Sequence, residues 1–137
     1  MKPIEGEAPM FKHLTVFQTA YTMAVHAGAR QALIAQNVAN ADTPGYRTRD
    51  LPAFAQLYEA RRQGTGPFRR DEPGASLSAF DVSRLQPIIE DDMDPNRNGV
   101  SLEDEMVRAA EVKRDHDRAL SIYRSAVTVL RMSLGNS

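Results

Sequence analysis

Cysteine is absent from the 137-residue chain. Its absence excludes disulfides, thiolate metal sites and cysteine nucleophiles. No run of 18 or more apolar residues occurs, so the sequence predicts no membrane span. The net charge is only -1, which gives no global field toward nucleic acid or an anionic membrane. The first ten residues lack a basic region followed by an apolar run, so we expect no cleaved secretory signal peptide.

Proline and glycine are unevenly distributed along the chain. Six of the eight prolines lie between residues 44 and 99, and the two flanks, residues 12–40 and 101–134, contain no proline and one interior glycine, Gly28. Proline removes a backbone donor and clashes with the preceding helical turn, so its absence permits long helices in both flanks. The sequence therefore predicts one domain over 1–137, with a flexible N-terminus at 1–11, a helix at 12–40, a loop-rich middle at 41–100 and a helix at 101–134.

The N-terminal helix carries an apolar stripe with the 3.5-residue period of a coiled-coil seam. Its positions are Leu14, Phe17, Tyr21, Ala24, Gly28, Gln31, Ala35 and Val38. Arg30 is the only charged side chain between residues 14 and 40, whereas a solvated helix face normally carries Lys and Glu. We expect the stripe to be buried within the chain and the uncharged back to pack against other subunits. A central helix of a monomeric bundle is the alternative interpretation.

The C-terminal helix has a clear start signal and a second stripe. Ser101 can cap the helix, and Asp104 stands at the reciprocal capping position. Gly135 follows as a stop. The stripe alternates by four and three residues through Leu102, Met106, Ala109, Lys113, His116, Leu120, Tyr123, Val127, Leu130 and Leu134. A further apolar row lies beside its second half, so this end also has the pattern of an assembly surface.

A ten-residue motif, Asn-Val-Ala-Asn-Ala-Asp-Thr-Pro-Gly-Tyr, ends the first helix at residues 37–46. Pro44 and Gly45 suit the two central positions of a type II turn, because proline presets φ and glycine accepts a positive φ. Tyr46 would then fold back on the helix end. The residues that define this motif and turn are Asn37, Asn40, Thr43, Pro44, Gly45 and Tyr46.

This motif resembles the signature of the flagellar rod and hook protein family, in which an N-terminal helix ends in Asn-x-x-Asn-x-x-Thr-Pro-Gly-aromatic. Residues 47–54 and 98–106 are similar to segments that follow the motif and lead the C-terminal helix in the short rod members of that family. The chain has no room for the large inserted domains of hook and distal rod proteins. The resemblance covers about half of the residues and leaves 55–93 unmatched.

The resemblance implies a mainly α fold, in which two long antiparallel coiled-coil-like helices are joined by a loop-rich middle with at most a few short strands. It implies a structural subunit of the proximal rod of the flagellar basal body, which assembles through its terminal helices and helps to transmit torque. The partners would be other copies, other rod proteins, the membrane-ring base and the flagellar type III export apparatus. We expect neither an enzyme nor a nucleic-acid partner.

The segment 94–105 offers an alternative function, because it satisfies the pattern of an EF-hand calcium loop. Asp94, Asn96, Asn98, the carbonyl of Val100 and Glu105 could form a cage for a hard cation. Only two of these side chains are carboxylates, and the preceding segment shows little sign of a helix. A turn that leads into a capped helix is the competing interpretation.

No catalytic or metal-binding constellation appears elsewhere in the sequence. The three histidines, His13, His26 and His116, are isolated from one another. No nucleophile, base and orienting group occur together, and no ligand pair has metal spacing. The sequence therefore predicts no cofactor.

Overall fold

The computed structural model describes residues 7–65, 82, 85–90 and 100–135, with side chains from residue 14 onward. Two long helices dominate it, which confirms the mainly α fold. Two short strands and one short helix lie between them. In chain order the elements are α1 (Glu7–Ala39), β1 (Arg49–Asp50), α2 (Phe54–Arg62), β2 (Ile88–Ile89) and α3 (Leu102–Gly135).

The ends of the two long helices follow from local chemistry. α1 begins at Glu7, five residues before the predicted start, because Pro9 lies in the first turn, where no intrahelical N–H donor is needed. α3 begins one residue after Ser101, whose Oγ accepts from the Asp104 N–H at 3.4 Å. Glu103, Asp104 and Glu105 occupy the first turn of α3, where negative charge complements the helix dipole.

α1 and α3 pack antiparallel along their length. Near one end the rings of Phe17 and Tyr123 stack with centroids 4.6 Å apart, and near the other Asn37 contacts Glu105. The buried seam between the helices consists of small or branched side chains spaced by seven residues. These are Ala20, Ala27 and Ile34 on α1, and Val112, Ala119 and Ala126 on α3.

The predicted burial of the two stripes within the chain was wrong for part of each stripe. On α1 the buried seam lies one residue before the predicted stripe, at Ala20 rather than Tyr21 and at Ala27 rather than Gly28. Alanine lets the two backbones approach closely, and larger side chains would hold them apart. Six stripe residues are therefore left 41% to 72% exposed: Leu14, Tyr21, Val38, Leu102, Met106 and Leu134. Phe17, Leu120, Tyr123, Val127 and Leu130 are half-buried at the edge of the seam.

The middle segment packs against α1 on the side opposite the predicted stripe. Leu51, Leu57 and Val82 form a second small core, with Ala29 and Leu33 of α1 against it. β1 pairs antiparallel with β2, so that Arg49 lies opposite Ile89 and Asp50 opposite Ile88. The sequence interpretation missed α2, although residues 53–63 contain neither proline nor glycine.

Candidate functional site: the motif turn and the open flank

The motif turn has the geometry expected of a type II turn. Gly45 has φ +79°, and the Tyr46 N–H donates to the Thr43 carbonyl at 3.2 Å. Asn40 steadies the preceding turn, because its side chain donates to the Gln36 carbonyl at 2.8 Å and accepts from the Thr43 hydroxyl at 3.1 Å. Local bonds of this kind end the helix and reverse the chain.

Asn37 is the hub that ties this turn to the rest of the protein. It is fully buried, and its amide makes four hydrogen bonds. Oδ1 accepts from the Tyr46 hydroxyl at 3.0 Å and from the Arg49 N–H at 3.1 Å. Nδ2 donates to the Arg49 carbonyl at 2.8 Å and to Oε2 of Glu105 at 3.3 Å. One side chain therefore holds the turn, β1 and α3 together.

A cluster of charged side chains extends from this hub along the interface. Arg30 donates from Nε to Oδ1 of Asp50 at 3.0 Å and from Nη2 to Oδ2 at 2.9 Å. Arg108 lies 3.6 Å from the same carboxylate, donates to Glu105 at 2.8 Å and pairs with Glu90. Asp50 thus stands between the two arginines, one on α1 and one on α3. We call Arg30, Asn37, Asp50, Glu105 and Arg108 the polar cluster.

The electrostatics of the polar cluster follow from burial and pairing. Burial raises the pKa of Glu105, which is 1% exposed, against the opposing effects of the Asn37 hydrogen bond and the Arg108 charge. The hydrogen bonds with Asp50 raise the pKa of Arg30. Nη1 of Arg30 is the buried side-chain atom without a hydrogen-bond partner in the described part of the chain, and Oε1 of Glu111 lies 3.8 Å from it. Arg30 therefore stays charged within the interface.

His26 joins α1 to the start of α2. Its Nε2–H donates to the Pro52 carbonyl at 2.8 Å, and its ring lies 5.7 Å from that of Phe54. Burial is the main cause that lowers the pKa of His26. The neutral ring therefore belongs to the packing of the middle segment.

The predicted stripes lie side by side along one flank of the helix pair, which we call the open flank. Its exposed apolar residues are Leu14, Tyr21, Val38, Leu102, Met106 and Leu134. Near the motif turn the flank forms an apolar groove of about 570 Å³, lined on α1 by Gln31, Ile34, Ala35, Val38 and Ala39 and on α3 by Ala109 and Lys113. The middle segment covers the other flank of α1 at this level. The open flank is thus a surface shared by both helices.

A second groove lies on the opposite flank, toward the Phe17 end of the helix pair. It has a volume of about 380 Å³ and is lined by Val16 of α1 and by Ser121, Ile122, Ser125, Ala126 and Val129 of α3. Ile122, Ala126 and Val129 belong to the further apolar row of the C-terminal helix. At this end both flanks of the pair carry exposed apolar surface.

The described residues contain no group of three or more His, Asp and Glu side chains placed to hold a metal ion. Half of the predicted calcium loop, residues 94–99, lies outside the described residues. Its last ligand, Glu105, already accepts hydrogen bonds from Asn37 and Arg108.

Among the helices of the described residues, none combines the length and the hydropathy that a membrane-spanning segment needs.

Sequence comparison identifies the class of protein to which this turn and helix pair belong. A sequence model of the family described as "Flagella basal body rod protein" matches residues 26–47, which include Arg30 and the motif turn. The chain belongs to the family of flagellar basal body rod proteins. That family is structural and not enzymatic.

Within the family, the curated relatives are flagellar basal body rod proteins named FlgB. The protein from Agrobacterium fabrum is 28% identical over 125 residues, which cover 88% of this chain and 93% of that protein. The protein from Cereibacter sphaeroides is 32% identical over 87 residues, 59% of this chain and 66% of that protein. A shorter match to Yersinia enterocolitica FlgB is 43% identical over 49 residues, 36% of this chain and 33% of that protein. A structural role in the flagellar basal body rod follows, in association with other rod components.

Proposed function

We propose that the protein is a subunit of the proximal rod that self-assembles by burying its open flank against neighbouring subunits. The observation that carries this proposal is the exposure of Tyr21, Val38, Leu102 and Met106 in one flank beside an apolar groove. Exposed apolar surface of this extent on a small helical protein is typical of an interaction surface. In the assembled rod, copies of this chain and of other rod proteins would cover it.

We further propose that the subunit transmits torque and is exported by the flagellar apparatus. The helix pair is braced by the polar cluster, so a load applied to one helix passes to the other through Asn37 and Glu105. Such a subunit would transmit torque from the motor to the hook. The subunit would contact the membrane-ring base and leave the cell through the flagellar type III export apparatus without a cleaved signal peptide. We also propose that residues 1–137 form a single domain.

Met106→Asp tests the assembly role of the open flank. Met106 is 72% exposed, so an aspartate there is solvated in the free subunit and should leave its stability within about 0.5 kcal/mol. Burying the same carboxylate between subunits would cost several kcal/mol and should block rod formation. The measurement is swimming motility, together with electron microscopy of basal bodies, in a strain that lacks the chromosomal gene.

Val107→Asp is the matched control. Val107 is 69% exposed and follows Met106 in α3. It faces away from the groove, because it lies one helical turn from both Glu103 and Glu111 on another side of α3. The control should assemble rods and support motility. Intact rods with Met106→Asp, or equal loss with both variants at equal expression, would refute the assignment of the open flank.

A further inference from the structure

The buried seam between α1 and α3 repeats every seven residues, and this repeat leaves the register of the two helices underdetermined. Ala20, Ala27 and Ile34 of α1 interdigitate with Val112, Ala119 and Ala126 of α3. A slip of seven residues moves α3 by about 10 Å along α1, at 1.5 Å per residue. Because the side chains are similar from one repeat to the next, apolar packing discriminates weakly between the two registers.

In one direction the slipped seam stays apolar over most of its length. Ala119 would take the place of Val112, Ala126 that of Ala119, and Val112 that of Glu105. Only at the far end would a small polar residue, Ser133, take the place of Ala126. The α1 side of the seam would again meet small or branched residues. Asn37 would face Val112 and lose its hydrogen bond to the Glu105 carboxylate. Apart from this lost hydrogen bond, packing along the seam disfavours the slip only weakly.

The charged side chains next to the seam disfavour this slip. Arg118 would take the place of Glu111 and stand opposite Arg30, where an ion pair of 3.8 Å now lies. Asp115 would take the place of Arg108 and meet Asp50, where an ion pair of 3.6 Å now lies. Two attractive contacts would thus become repulsive.

A slip in the other direction is excluded by Glu105 itself. Glu105 would take the place of Val112 in the cluster formed with Ala27 and Ile34. A carboxylate there would replace an apolar side chain that is 0% exposed, and the burial of this charge is strongly unfavourable. The same few side chains therefore exclude both slipped registers.

We propose that the polar cluster, Arg30, Asn37, Asp50, Glu105 and Arg108, is a register lock that selects the observed alignment of α1 and α3 over alignments slipped by seven residues. The chain between β2 and α3, residues 90–101, is long enough to follow a shift of about 10 Å, because an extended chain spans about 3.3 Å per residue. The lock therefore acts through direct contacts across the interface. Its members are positioning residues.

The register decides whether the open flank is continuous. In the observed register Val38 and Ala109 line the same groove, and the slip that keeps the seam apolar would bring His116 to the position of Ala109, next to Val38. This consequence for assembly rests on the proposed function. The register itself is a property of the isolated subunit, so its measurement succeeds or fails independently of the motility test.

The test is a distance measurement between spin labels on α1 and α3. The chain has no cysteine, so Ala32→Cys and Arg131→Cys, both at exposed positions, give a doubly labelled subunit without background. The labels lie about 30 Å apart along the helix axis in the observed register. Pulsed electron–electron double resonance should give one distance in the otherwise wild-type subunit.

The lock is removed in the fivefold variant Arg30→Met, Asn37→Leu, Asp50→Asn, Glu105→Leu and Arg108→Met, in which an asparagine at residue 50 still offers an acceptor to the Leu51 N–H. We expect its helix content by circular dichroism to be retained and a second distance to appear, displaced by about 10 Å. Asn37→Leu with Glu105→Leu, which keeps both arginines, should show a smaller second population. The matched control, Ile34→Ala with Val112→Ala, weakens the seam but keeps the lock, and should unfold more easily while retaining a single distance.

Three outcomes would overturn the proposal. A helical fivefold variant with only the wild-type distance would mean that the seam itself sets the register. A second distance in the seam control would mean the same. Loss of helix content and of any defined distance in both lock variants would mean that the cluster stabilises the pair without selecting its register.

Discussion

Replacing Asn37 by alanine should be far more damaging than the same change at Asn40, although both belong to one motif. Asn37 is fully buried and makes four hydrogen bonds, to Tyr46, to both backbone groups of Arg49 and to Glu105. The bonds that Asn40 makes to Gln36 and Thr43 lie at an exposed turn. The two changes remove the same atoms from very different surroundings.

The magnitude follows from the partners that Asn37 leaves behind. A buried polar group that loses its partner costs about 1–3 kcal/mol. Tyr46 is half-buried and Arg49 is exposed, so water can satisfy part of their loss. Glu105 is 1% exposed and keeps Arg108 as a partner. We therefore expect Asn37→Ala to lower the free energy of unfolding by about 3 kcal/mol, and Asn40→Ala by about 0.5–1 kcal/mol.

Urea unfolding of the purified subunit, followed by circular dichroism, measures both values. A loss below about 1 kcal/mol for Asn37→Ala, or an equal loss for Asn40→Ala, would refute the hub role of Asn37. Asn37→Asp adds a check on the mechanism, because it replaces the Nδ2 donor, 3.3 Å from the Glu105 carboxylate, with a second carboxylate. Its deficit relative to wild type should shrink as the pH falls, because protonation removes the repulsion.

Three further predictions concern other parts of the fold. Gly45→Ala should lower the free energy of unfolding by about 1 kcal/mol, because φ is +79° at this residue. Gly28→Ala in α1, which has open space around it, should raise the free energy of unfolding by about 0.5–1 kcal/mol. Thermal melts in which the Gly45→Ala variant is the more stable of the two would contradict the turn. The pKa of His26 is lowered from 6.5, so the unfolded state takes up this proton first, and wild type should lose stability as the pH falls below 6.5. His26→Gln should lack that component in urea titrations at about pH 5 and about pH 7.5; an unchanged slope would assign the loss to another group. A double-mutant cycle between Phe17 and Tyr123 should give a coupling of about 0.5–1.5 kcal/mol, and a value near zero would show that the ring contact adds nothing beyond burial.

The features that the sequence predicts well are those decided within a few residues. The two long helices follow from flanks without interior proline, and the start of α3 follows from Ser101 and the acidic residues after it. The turn at Pro44 and Gly45 follows from the φ preferences of these two residue types. Each depends on neighbours in the chain, so one sequence suffices.

The features that the sequence analysis missed depend on partners far along the chain. The predicted seam followed large apolar residues such as Tyr21 and Val38. The helices instead meet through Ala20 and Ala27, each of which lies one residue before a position of the predicted stripe. Two neighbouring stripes of one helix both satisfy a coiled-coil period, and the choice between them depends on how closely the partner approaches. The seven-residue repeat of small residues on both helices was the available signal.

The polar cluster was missed for a similar reason. Arg30 was noted as the only charge on an uncharged helix, and a lone buried arginine requires an acidic partner. Nothing local identifies that partner as Asp50, 20 residues away. The sequence analysis considered Glu105 as the last ligand of the alternative calcium loop, whereas its carboxylate bonds to Asn37 and Arg108.

The way the middle segment packs on α1 implies an order of folding. Arg30 and Asp50 are separated by 20 residues, and Asn37 and Arg49 by 12, whereas Asn37 and Glu105 are separated by 68. Short-range contacts form first, because they close smaller loops. We expect α1, β1 and α2 to assemble early and α3 to dock last, an order that pulse-labelling amide exchange would detect as late protection of α3. The contact between Asn37 and Glu105 then closes the structure, and a chain that emerges N-terminus first would acquire its apolar seam only when its last helix arrives.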